Sequence, residues 1–161
     1  MTTHGQTAMG ITLSDQEAAL FNDLLQLNQD SQNGYTTAAG ALSNQDYGNL
    51  FHQYAQERQQ NADELTQLLQ TTGHSAGKAG TLSGLFHQGR LNVESLLTQG
   101  DAPLFAECER ADALALAAYQ DVMGKTTREE LMVILRRQFT VIRDAHERVK
   151  VLRGALEQVQ K

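Results

Sequence analysis

Two pairs of long amphipathic segments, set apart by about 28 residues from Gly73 to Gly100, constrain this chain more than any other feature. In the first segment Ser14 and Glu17 stand at capping-box spacing, and Phe21, Leu24, Asn28, Ser31, Tyr35, Ala38 and Leu42 then recur every three or four residues. The spacing predicts a helix over 15–42. Ser43 or Asn44 can cap the next segment, whose face reads Phe51, Tyr54, Arg58, Asn61, Leu65 and Leu68 before Gly73 supplies a stop, so a second helix is expected over 44–72. A link of about two residues forces the two into an antiparallel hairpin.

The second pair follows the same logic. Asp101 is the expected cap of a helix over 102–123, with Pro103 in its first turn where the missing N–H costs nothing, and Phe105, Cys108, Asp112, Ala115, Tyr119 and Val122 as its stripe. Gly124 ends it. Thr127 and Glu130 form a second capping box opening a helix over 127–159, whose face reads Leu131, Leu135, Gln138, Ile142, Ala145 with His146, Val149, Leu152 and Leu156. The stretch 73–100 carries Gly73, Gly77 and Gly80 and then the apolar Leu82, Leu85, Phe86, Val93, Leu96 and Leu97, which predicts an ordered crossover containing a short helix. A helix of ~25 residues is ~38 Å long, a distance this crossover can cover. The second and third helices are therefore expected to run parallel, in contrast to an up-down-up-down bundle with three short loops.

With 161 residues, 40% hydrophobic and 6% aromatic, the chain suffices for one domain over 13–161 with an aliphatic core, preceded by a flexible N-terminus over 1–12. The net charge of -6 is spread over helices of mixed sign, so neither nucleic acid nor a membrane is an expected partner. Cys108 is the only cysteine, which rules out an internal disulfide and a zinc site of several thiolates. Residues 1–10 lack an apolar h-region and a basic start, and no apolar run approaches the ~20 residues of a membrane span; a cytoplasmic location is expected.

Several strings are also familiar: LLQLNQDSQNGYTTAA from Leu24 to Ala39, TLSGLFHQGRLN from Thr81 to Asn92, ECERADALALAAY from Glu107 to Tyr119, and AHERVKVLR from Ala145 to Arg153. In these the chain resembles a bacterial family of small, largely uncharacterised ferritin-like four-helix-bundle proteins, distantly related to rubrerythrins. The resemblance covers nearly everything after Leu13. It implies an all-α, ferritin-like bundle of two hairpins joined by a long crossover, and a stress-related role. Where the family pattern continues from Cys-Glu-Arg with Gly-Glu-Asp, this chain has Ala111, Asp112 and Ala113, so any carboxylate role there falls to a side chain one methylene shorter.

Carboxylate-bridged di-iron centres in such bundles need a Glu from each of two helices and a Glu-x-x-His from each of the other two. Neither Glu-x-x-His is present: Arg143 stands three residues before His146, and the inward middle of the first helix offers Asn28 and Ser31. An intact ferroxidase centre is not expected, and no cofactor is assigned. Two readings of the interior remain. In one, Asp112 pairs with Arg58, His146 bonds Asn61 or Gln138, and Asn28, Ser31, Arg58, Asn61 and Gln138 form a polar network that fixes helix register. In the other, Asp112 and His146, with Glu109, Glu57 and Glu64 toward the helix edges, hold iron or another divalent metal ion. The first is preferred, because an inward arginine is a poor neighbour for a cation.

Other side chains point to less. Tyr35, Tyr54 and Tyr119 fall on core faces and read as packing; Cys108 reads as a small buried hydrophobe. His87, with Arg90, reads as structural, and His4, His52 and His74 as solvated surface. No G-x-G-x-x-G or G-x-x-x-x-G-K-[ST] follows a strand. Leu20, Leu27, Leu85 and Phe86 lie off the core stripes and would be covered by a second copy, so a homodimer is expected. The function that follows is a non-catalytic structural or protein-interaction role, with a metal-binding protein as the alternative.

Overall fold

The computed structural model describes residues 10–77 and 93–159, and within them the chain folds into four α-helices with no strand. They are α1 (Asp15–Ala41), α2 (Gln45–Thr71), α3 (Asp101–Gly124) and α4 (Glu129–Val159). The first three start and stop within one residue of the expected limits, and α4 starts two residues late.

The ends show why. Ser14 Oγ accepts from Glu17 N at 3.1 Å while the Glu17 carboxylate accepts from Ser14 N at 2.9 Å, a complete capping box. Asn44 caps α2 through Oδ1, which accepts from the amides of Asp46 and Tyr47. At the other end of α2, Gly73 takes φ 82°, Gly73 N donates to Gln70 O, and His74 N donates to Leu69 O. Those two bonds make a Schellman motif, which requires a residue at ease with positive φ.

Two expected caps are corrected. Asp101 does not cap α3: Gly100, at φ 97°, holds that position, and Asp101 is the first helical residue. Its carboxylate is spent on the α1–α2 loop, accepting from the backbone N–H and hydroxyl of Ser43, both at 2.9 Å, and from Asn44 N at 3.4 Å. At α4 the first carbonyl to accept is that of Arg128, from Leu131 and Met132, so the helix starts after Arg128 and not at Thr127.

Helix directions follow from cross-helix bonds. Asn28 of α1 meets Asn61 of α2, and Tyr35 lies against Phe51 and Tyr54, so α1 and α2 are antiparallel. Asn28 meets Tyr119 and Tyr35 meets Asp112, which makes α3 antiparallel to α1 and hence parallel to α2. Tyr119 meets Gln138 and Glu109 meets Arg153, so α4 returns beside α3. Packing neighbours are α1 with α2 and α3, and α4 with α3 and α2. The chain leaves α2 beside the start of α1 and enters α3 beside the α1–α2 loop, at opposite ends of the bundle. Of the crossover, the described part holds a 3-10 turn at Glu94–Leu96 and the buried Val93. Leu82, Leu85 and Phe86, and with them the expected short helix, lie outside the described residues, as do His4, His87 and Arg90.

The core divides into two clusters. One is largely aliphatic, with Leu24, Leu25, Leu65, Leu69, Leu131 and Leu135 at its centre; the other gathers Tyr35, Phe51, Tyr54 and Phe105 with Cys108 and Val149. Each fully buried leucine or phenylalanine contributes about 1.5–3 kcal/mol by leaving water. Ile11 and Leu13 are buried in the aliphatic cluster, and Arg128 donates to Thr12, so packing begins ahead of the limit expected for a flexible N-terminus. Leu20 and Leu27 are buried there too, at 3% and 9% exposure. They are not the uncovered positions on which a dimer was expected, because between Ala18 and Asn28 helix α1 is covered around most of its circumference.

Candidate functional site

Between the two clusters lies a polar layer made of two sets of bonds. At one side Arg58 Nη2 donates to Asp112 Oδ2 at 3.2 Å, both residues fully buried at 0% and 1% exposure. Tyr35 donates its hydroxyl proton to the same Oδ2 at 2.5 Å, and the guanidinium carbon of Arg58 stands 5.6 Å from the centre of the Tyr35 ring. Burial alone would push the Arg58 guanidinium toward losing its proton, but the adjacent Asp112 carboxylate overrides it and holds the group charged, above its ordinary range. The Tyr35 phenol is held well above its usual range by burial and by the Asp112 charge, so it acts here as a donor.

A second set of bonds continues toward the surface. Asn28 Nδ2 donates to Leu24 O and to the Tyr119 hydroxyl oxygen, both at 2.8 Å, while Asn61 Nδ2 donates to Asn28 Oδ1 at 3.2 Å. Tyr119 donates its proton to Gln138 Oε1 at 2.7 Å. Gln138 Nε2 donates to Glu64 Oε1 at 2.7 Å, and Arg137 clamps the same carboxylate with bonds of 3.1 and 2.5 Å. Burial drives the Tyr119 phenol above its usual range, against Asn28. The chain of bonds thus ends at Glu64 in a groove of about 400 Å³ between α2 and α4, lined by Glu57, Gln60, Asn61, Glu64, Arg137 and Val141.

The structure brings together Asp112 and Arg58, and Asn28 with Asn61 and Gln138. It does not bring together Asp112, His146, Glu109, Glu57 and Glu64. Glu109 is bound by Arg153, Glu64 by Arg137 and Gln138, and Glu57 accepts from Gln53 on the exposed side of α2. Among the described residues no three side chains of His, Cys, Asp or Glu type are grouped so as to hold a metal ion. His146 bonds neither Asn61 nor Gln138; its Nδ1 is buried without a hydrogen-bond partner among the described residues, as is Ser31 Oγ.

Sequence reasoning missed three participants. Tyr35 and Tyr119 do pack in the core, but their hydroxyls also close the layer, which ring periodicity on a helix does not reveal. His74 is not a bare surface residue: its ring nitrogen lies 2.9 Å from Leu13 O, pinning the turn after α2 to the segment before α1. Near it Asn22 donates to Ser75 O at 3.0 Å and accepts from Gly77 N at 2.7 Å. Cys108 is wholly buried, and burial with the nearby Asp112 charge raises its thiol well above the usual range, which makes it unreactive.

Among the described residues no helix is long and apolar enough to cross a membrane. No curated protein matches the chain. A family match runs over residues 16–125, from the first turn of α1 to the residue that closes α3. Covering more than half of the sequence, it shows that the chain belongs to the family described as a domain of unknown function (DUF2383).

Proposed function

We propose that this protein is a ferritin-like bundle without a ferroxidase centre, whose role is structural or protein-interacting and not catalytic. The stress-related setting rests on the sequence resemblance alone. The observation that carries the reading is the buried Arg58–Asp112–Tyr35 cluster. Asp112 is the carboxylate best placed to serve a metal in the bundle, and its Oδ2 already accepts two hydrogen bonds, one from a guanidinium whose fixed charge repels any cation brought to that position. Of the other acids considered for a metal, Glu109 and Glu64 are held by arginines and Glu57 lies on the exposed side of α2.

One observation favours the alternative of a reduced metal site, namely the unpartnered Nδ1 of His146. Elemental analysis of protein purified without a chelating tag and then exposed to iron(II), manganese(II) or zinc(II) separates the two. The non-catalytic reading expects metal far below one ion per chain, with no change in His146→Ala. One ion per chain, removed by His146→Ala or Asp112→Asn in protein that keeps its helical spectrum, would overturn it.

A further inference from the structure

Arg58 uses only part of its hydrogen-bonding capacity. It donates through Nη2 to Asp112, but among the described residues its Nε and Nη1 have no partner, and neither has Ser31 Oγ. Arg58 is fully buried and Ser31 is 8% exposed. Register brings the two together. Asn28 and Asn61 are bonded across the antiparallel α1–α2 pair; three residues forward from Asn28 is Ser31, and three back from Asn61 is Arg58, on the inward faces at one height. On α3, the small, buried Ala115 lies between Asp112 and Tyr119, which bond Tyr35 and Asn28.

Several hydroxyls in or just after the helices bond back to their own helix, and the buried Ser31 is not among them. Thr36, Thr37, Thr71, Thr72 and Thr126 each donate to the carbonyl four residues back, at 2.6 to 2.9 Å. Ser31 does not, which leaves its hydroxyl free to serve the interior.

We infer that Ser31 and Arg58 form a built-in site for one buried water, which accepts from the free N–H groups of Arg58 and exchanges a hydrogen bond with Ser31 Oγ. The free groups on Arg58 are donors, so the occupant must be an acceptor. It must also be neutral: Asp112 already compensates the guanidinium, and an added anion would leave a net negative charge in a medium that solvates it poorly. A water with these partners meets the two-to-four-bond requirement of internal hydration sites. It explains how a wholly buried arginine is tolerated in a layer that otherwise satisfies its polar atoms.

The test is solution NMR on the full-length protein labelled with nitrogen-15. The Arg58 Nε–H proton is expected to show a direct cross-relaxation peak to water with the sign of a bound, slowly exchanging molecule. The peak should persist in Ser31→Ala, because Arg58 alone still anchors the water, and should fall at least several-fold in Ser31→Val, whose methyls occupy the space. Absence of the peak in the folded wild-type protein overturns the inference. Loss in Ser31→Ala also overturns it, since the signal then came from hydroxyl exchange. An Arg58 Nε shift that titrates with bromide at constant ionic strength would mean that an anion, not water, is held. None of these outcomes bears on metal content, so the site stands or falls apart from the functional reading.

Discussion

The two halves of this core solve the same packing problem with different materials. The half that holds Leu24, Leu65, Leu69, Leu131 and Leu135 is sealed by aliphatic contact, and at its end by Arg128, which donates to Glu17 and Thr12. The half that holds Tyr35, Phe51, Tyr54 and Phe105 sets Tyr35 edge to face with Phe51 and Tyr54 at 5.1 and 5.6 Å between centres, tilts Phe51 against Phe105 at 4.8 Å, and backs onto the buried ion pair. Aliphatic contacts are forgiving of small slides along the helix axis. Ring contacts and a shared carboxylate oxygen restrict such slides more tightly.

The sharpest way to break that contrast is to remove Asp112. Asp112→Ala strands a charged guanidinium in the interior and should cost about 3–5 kcal/mol in urea unfolding, whereas the double change Arg58→Met with Asp112→Leu should recover most of that loss. If the double variant is no more stable than the single, the ion pair is not what fails. A smaller effect, about 3 kcal/mol, is expected for Leu65→Ala in the aliphatic half, within the usual range for a buried leucine. Chemical shifts of the Tyr35 and Phe105 rings should hardly move in that variant, and large changes there would mean that the halves are not separable.

Alkaline pH sharpens the contrast further. Burial raises Tyr35 and Tyr54, the latter to about 12, and Cys108, all in the aromatic half; Tyr119 is the corresponding group on the other side. In the folded state these groups keep protons that the unfolded chain releases above the ordinary thiol and phenol values of 9.0 and 10.0. Their contribution is therefore complete below pH 9 and is lost as pH rises beyond it, at about 1.4 kcal/mol per pH unit for each fully buried group. Unfolding midpoints measured between pH 8 and 11 should fall, and Cys108→Ala should flatten the first part of the fall. The smallest effect belongs to the loop: Asp101→Ala removes bonds to Ser43 and Asn44 and should cost about 1 kcal/mol, read from the melting temperature. A change of under 0.3 kcal/mol would mean that water replaces the carboxylate there at no cost.

The parts of this architecture that could be read from the sequence are those fixed by local chemistry. Ser14 with Glu17, Asn44 and Gly73 mark helix ends because capping depends on a few neighbouring atoms. Asp101 misled for the same reason: its type suits a cap, but Gly100 took that position and freed the carboxylate for a loop some 58 residues away in sequence. Leu20 and Leu27 look exposed on a helix with one buried stripe, yet α1 is covered on several sides at that end. In the polar layer, the inward placement of Arg58, Asn28 and Asn61 was legible from the helical period. Which hydroxyl meets which carboxylate was not, since that depends on the relative height of helices joined through a long crossover.

The directions of the four helices carry an electrical consequence. Each helix is flanked by neighbours running the opposite way, so the roughly half-unit charges at helix termini alternate around both rims. The helix dipoles make neither rim a positive or negative pole, and the long-range field of the bundle is left to its side chains, whose acidic excess lies on α1, α2 and α3 and not on α4.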